Sequence, residues 1–115
     1  MNNGFVRGRL EAKDPKGMQS FYGDVFPNWS FRSGTINGID YILINTGNGP
    51  GGEMVKGDRK EWIPFVAVRD VTSTLNQVKK SGGTVVENRT QFGDFGFYGL
   101  FQDPEGAIMG LWEEA

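Results

Sequence analysis

The chain has 115 residues, with twelve Lys and Arg against fourteen Asp and Glu, giving a formal net charge of −2 spread along its length. That balance leaves no basic footprint for nucleic acid, and no apolar run approaches the ~20 residues that span a bilayer. There is no cysteine and no histidine, which excludes disulfides, thiol nucleophiles, Ser-His-Asp triads and imidazole-held metals.

In chain order, FVRGRLEAK alternates with period two. Val6, Gly8, Leu10 and Ala12 take one face and Phe5, Arg7, Arg9 and Glu11 the other, which predicts a strand. DPKGMQSFYGDVF predicts a helix with Asp14 as N-cap, Pro15 at the first helical position, and Met18, Phe21, Tyr22 and Val25 on its apolar face. WSFRSG and DYILINTG read as strands joined around the tight turn of Asn37-Gly38. NGPGG reads as a rim loop and GGEMV as a short strand. The order then repeats. EWIPFVAVRD is a strand, and VTSTLNQVKKSGG is a helix capped by Asp70 or Thr72 and ended by Gly82 or Gly83. GTVVENRT, GFYGLFQD and AIMGLWEE are three more strands, and Asp103-Pro104-Glu105-Gly106 is turn chemistry before the last of them. QFGDFGFYG fits either a plain hairpin or a mobile aromatic lip.

The two helix caps are 70 − 14 = 56 residues apart, and the same offset carries the first set of strands onto the second. The sequence therefore predicts an α+β fold of two βαβββ modules, residues 1–57 and 58–115, within one domain spanning 1–115. Halves this small bury too little surface to stand alone. The opening MNNGFVRGRL lacks the basic and apolar regions of a signal peptide, so the cytoplasm is the expected compartment.

Three segments carry a resemblance: KDPKGMQSFYGDVFPNWSF, FVAVRDVTSTLNQVKKSGGTVV and GLFQDPEGAIMGLWE. In this order and spacing they resemble the glyoxalase / bleomycin-resistance / dioxygenase superfamily, also called the vicinal oxygen chelate superfamily, over nearly the whole chain. The resemblance implies curled mixed sheets around a cavity, and often a homodimer. It also implies four metal-binding side chains, one on the first and one on the last strand of each half. Counted from the helix caps and the Asp-Pro-Glu-Gly turn, those positions hold Arg7, Ile63, Gly110 and Met54, with Glu53 one residue from the last. Arg7 would repel a cation, while Ile63 and Gly110 have nothing to coordinate with, so no metal and no cofactor are expected.

Arg7 and Arg9 on one strand face suggest an anion or carboxylate site, or alternatively an internal ion-pair network with Glu11 or Glu53. Ile63 and Phe65, Tyr41, Phe101, and Ile108, Gly110 and Trp112 are the expected apolar and aromatic wall of a small-molecule cavity, with open space at Gly110; core packing is the alternative. Tyr98 or Phe97 belongs to the same wall. Glu11, Glu53, Asp94, Glu105 and Tyr41 are the available acid–base groups, and no spacing forces any pair together, so no catalytic residue is assigned. The reading is a metal-free small-molecule binding protein whose apolar or aromatic ligand carries an anionic group. An enzyme related to lyases or dioxygenases, with an atypical metal or none, is the first alternative. A dimerisation or interaction module is the second.

Overall fold

The computed structural model describes residues 2–115, and the chain forms the predicted α+β architecture, two βαβββ modules of curled mixed sheet. The elements are β1 (Phe5–Ala12), α1 (Pro15–Val25), β2 (Ser30–Ile36), β3 (Ile39–Asn45), β4 (Gly52–Lys56), β5 (Glu61–Ala67), α2 (Val71–Lys80), β6 (Thr84–Phe92), β7 (Gly96–Gln102) and β8 (Ile108–Glu114). Two compact units divide them: Arg7–Ile63, and Pro64–Ala115 together with the residues up to Val6.

In the first unit β1 runs parallel to β4, and β4, β3 and β2 follow antiparallel. The period-two pattern of β1 does what it predicts: Leu10 and Ala12 enter a core with Ile42, Ile44 and Met54, against which Met18 and Tyr22 of α1 pack, together with Trp29 and Phe31. Asp14 caps α1 by accepting the Gly17 N–H at 3.1 Å. The expected apolar face of α1 is only half used. Phe21 and Val25 stay 54% and 49% exposed. Met18 and Tyr22 form one column of the helix, four residues apart, and point at the core; Phe21 and Val25 form the neighbouring column and miss it. Asn37 and Gly38 both adopt positive φ, the two-residue hairpin turn that the sequence signals between β2 and β3.

In the second unit β5 runs parallel to β8, and β8, β7 and β6 follow antiparallel. The strand order thus repeats. Val71 and Leu75 of α2 are buried with Val68 and Leu111, and Val85 and Phe101 pack against them. Asp70, rather than Thr72, caps α2, with its carboxylate accepting the N–H of Thr72 at 2.9 Å. At the other end Gly82 takes φ +98°, and the Gly83 N–H reaches the Val78 carbonyl at 2.9 Å. This is the left-handed glycine stop that only a residue without Cβ adopts cheaply. The segment QFGDFGFYG is the hairpin of the two readings, with Phe92 paired to Gly96 across it.

Candidate functional site

On β1 the residues facing away from α1 are Arg7, Arg9 and Glu11, and on β4 the outward residue between Gly52 and Met54 is Glu53. The parallel register sets Arg9 beside Glu53. Glu53 is 1% exposed. Its carboxylate accepts from both arginines: Arg7 Nη2 donates to Oε1, and Arg9 Nε donates to Oε2 at 2.7 Å. The arginine side chains are themselves largely buried, so this is a desolvated ion triad and not a surface pair. Glu11 stays out of it. Its carboxylate instead takes Arg59 Nη1 at 2.6 Å and the Arg59 backbone N–H at 3.2 Å.

The second module carries the equivalent pair of positions, Phe65 on β5 beside Gly110 on β8. Phe65 is fully buried. A Cβ added to Gly110 would lie 2.6 Å from its ring, so Gly110 is not open space in a wall, as the sequence reading expected; the Phe65 ring fills it. Tyr98, not Phe97, stands near that ring, edge to face with centroids 6.3 Å apart. Phe92 contacts both Tyr98 and Trp112 at 6.3 Å. Ile108 and Trp112 share the face of Gly110, and Ile63 is fully buried. Phe101 is misplaced in the expected wall: it lies on the opposite face, packed on the core under α2. The reason is strand parity, since Tyr98 and Leu100 pair with Trp112 and Gly110 while Phe101 falls between those positions and the next. Tyr41 lines a separate groove near the start of α1.

The strand registers correct the indexing of the metal positions. Arg9 corresponds to Phe65 (65 − 9 = 56) and Glu53 to Gly110 (110 − 53 = 57). The counterpart of Gly110 is therefore Glu53 and not Met54, whose side chain is in the α1 core. The residues opposite the last-strand positions are Arg9 and Phe65, not Arg7 and Ile63. These side chains do not fit a divalent metal. The first module offers one carboxylate already engaged by two guanidiniums, and the second offers a phenyl ring over a glycine. Among the described residues no group of three or more His, Cys, Asp or Glu is placed to hold a metal ion.

Of the acid–base candidates, Asp94 and Glu105 lie exposed in turns. Two polar clusters escaped the sequence. The Tyr98 hydroxyl donates to Glu87 Oε2 at 2.6 Å, and Thr90 Oγ1 donates to the same oxygen at 3.2 Å. They meet because β6 shifts register twice between Val85 and Thr90, which no residue pattern announces. Arg89 lies 3.5 Å over the Phe97 ring and is paired with Glu113, whose Oε1 also accepts the first N–H of α2, from Val71, at 2.9 Å. Hydrogen bonding from Arg89, and then from the Val71 N–H, holds the Glu113 carboxyl below its ordinary pKa, while the bond to Glu113 raises that of Arg89.

No family model matches the chain. Proteins of Mycobacterium bovis and Mycobacterium tuberculosis, both named "Putative glyoxylase CFP32", are 28% identical to it over 113 residues, covering 90% of this chain and 43% of theirs. The chain thus spans less than half the length of these relatives. Among solved structures, hypothetical protein BH1468 from Bacillus halodurans C-125 superposes with a TM-score of 0.76 at 11% identity, covering 100% of this chain and 96% of that one. Methylmalonyl-CoA epimerase from Mycobacterium tuberculosis gives 0.72 at 14%, covering 97% and 88%. A variant of the Streptomyces coelicolor methylmalonyl-CoA epimerase in complex with 2-nitronate-propionyl-CoA gives 0.71 at 12%, covering 100% and 99%. The chain thus shares the fold of these neighbours and is similar to relatives named as glyoxylases, as the resemblance to the glyoxalase / bleomycin-resistance / dioxygenase superfamily implies. No helix is long and apolar enough to cross a membrane among the described residues.

Proposed function

We propose that the chain binds a small organic molecule, largely apolar or aromatic, whose anionic or hydrogen-bond-accepting group is received at Arg7 and Arg9. The observation that carries this is the buried Arg7–Glu53–Arg9 triad. It converts a position where the family's enzymes hold a metal into a guanidinium site. Guanidinium forks recognise planar carboxylates and phosphates. The apolar or aromatic character proposed for the ligand rests on composition, in which Phe, Tyr and Trp make up 13% of the chain. One structural neighbour was solved with 2-nitronate-propionyl-CoA, and a nitronate is an anion, which supports the reading.

The test uses protein purified without a metal-binding tag. A thermal-shift screen of aromatic carboxylates and phosphates should return stabilising ligands. Arg7→Ala and Arg9→Ala should then each weaken a hit by ~1.5–3 kcal/mol if charge-assisted bonds are made. Unchanged affinity in both variants removes the arginine site. Stoichiometric Mn, Fe, Ni or Zn by elemental analysis would instead favour an enzyme with atypical ligands.

The exposed column of Phe21 and Val25 on α1, with Phe26 beyond it, favours a second role as a homodimer contact. Light scattering of Phe21→Lys against the parent chain reads that role directly.

A further inference from the structure

The start of α1 borders a groove of about 530 Å³ in the first module. Three lysines converge on it from three places: Lys13 after β1, Lys16 in the first turn of α1 and Lys56 at the end of β4. None of the three forms an ion pair with a described residue. The groove's two carboxylates are both engaged. Asp14 caps the helix, and Asp40 accepts the Thr35 hydroxyl at 2.9 Å. Three positive charges against two negative ones leave the groove at 3 − 2 = +1 on a chain whose formal net charge is −2.

This is an unfavourable arrangement for the protein alone. Like charges gathered at one rim repel, and Lys16 sits at the positive end of a helix where the capping Asp14 is the one carboxylate, the first turn itself holding none. An anion in the groove relieves the lysine repulsion and adds to what Asp14 already does at the helix start, because helix N-termini and lysines attract the same charge. The floor is apolar, formed by buried Ile42 and Met54. The Tyr41 ring makes a wall and is seated by Gly34, where a Cβ would run into the tyrosine hydroxyl. A cavity of this size, with an apolar floor and a few convergent polar groups, has the character of a small-molecule site.

We infer that this groove binds a phosphorylated small molecule, with its phosphate held by Lys13, Lys16 and Lys56 and its remaining body set against Tyr41, Ile42 and Met54. The site is separate from the Arg7–Glu53–Arg9 triad, and the inference does not depend on what that triad binds.

Calorimetric titration of the chain at low ionic strength, with inorganic pyrophosphate and with ADP as probes, tests it. Pyrophosphate should bind and weaken steeply with added salt. Lys13→Ala, Lys16→Ala and Lys56→Ala should each weaken it about three- to tenfold, and the triple variant should abolish it. Lys79→Ala/Lys80→Ala, at the far end of α2, should leave it unchanged. ADP should bind more tightly than pyrophosphate, and Tyr41→Leu should remove the difference; equal binding of the two probes overturns the role given to the apolar wall. The lysines are exposed, so circular dichroism of every lysine variant should match the parent chain. Absence of binding by both probes overturns the inference. So does an equal loss of affinity in the Lys79/Lys80 control.

Discussion

Replacing Glu53 by Gln is the sharpest perturbation the structure offers. The substitution keeps the shape of the side chain and removes only its charge. Glu53 is 1% exposed, and both its oxygens accept from guanidiniums that are themselves mostly out of water. In Glu53→Gln the two arginines face an amide whose NH2 end cannot accept. Removing one partner of a buried ion pair costs about 3–5 kcal/mol, because the remaining charges stay desolvated. Unfolding entropy of about 2.1 cal/mol/K per residue over this chain converts each kcal/mol into roughly 4 °C of melting temperature. The expected loss is therefore about 12–20 °C, read by calorimetry, with urea unfolding showing a lower midpoint and an unchanged slope. The double variant Glu53→Gln/Arg9→Met should be less than additive by at least about 1 kcal/mol, since the second change removes one of the stranded charges. A Glu53→Gln loss below about 1 kcal/mol would refute the reasoning, because that is the size of a solvated surface pair.

Other perturbations test the surrounding claims. Gly110→Ala should cost about 1–3 kcal/mol by driving a methyl into the Phe65 ring, and Phe65→Val in the same chain should recover part of it in denaturant unfolding. Leu75→Ala should cost about 2–5 kcal/mol, read the same way, because the side chain is buried in the core under α2. The folded-state pKa of Glu113 is depressed, so its contribution is present above the unfolded carboxylate value of about 4.3 and lost as pH falls through the depressed one. Urea unfolding from about pH 6 to about pH 3 should accordingly show a shallower acid loss in Glu113→Gln than in the parent chain; identical slopes would contradict the assignment.

How much of this was legible in the sequence depends on whether the signal was local. Helix ends were, to within two residues: Asp14 was read outright, and Asp70 and Gly82 were each one of two neighbouring candidates, because caps act within four residues of their own position. Strand parity was also legible where polar and apolar residues alternate, as along β1, and it failed at Phe101, where aromatic residues occupy both faces of β7 and hydropathy carries no parity. The Glu87–Tyr98–Thr90 cluster was hidden for a related reason. Two register shifts in β6 decide which side chains meet, and shifts of that kind are set by packing against the neighbouring strand and not by the residues that shift. The triad lay between these cases. The residue types on β1 raised an ion-pair network as one of two readings, but the choice of Glu53 over Glu11 needed the β1–β4 register, a contact between residues more than forty positions apart.

The register also changes what the glycine at 110 means. A fixed offset of 56 matches it to Met54, which would have both modules lose their last-strand carboxylates independently. The observed offset of 57 on that strand matches it to Glu53, so one module carries the carboxylate and the other does not. Each fills its position by a different physical route. Beside Glu53 the neighbouring strand carries Arg9, and charge answers charge in a buried pair. Beside Gly110 it carries Phe65, and a ring lies against bare backbone at a distance that excludes any side chain at all. A carboxylate at 110 would therefore have to displace a fully buried phenylalanine before it could meet a metal, and Glu53 would have to give up two guanidiniums. Both steps carry a cost in folding stability, so a metal at these positions is opposed by the packing of each module and not only by the absence of one side chain.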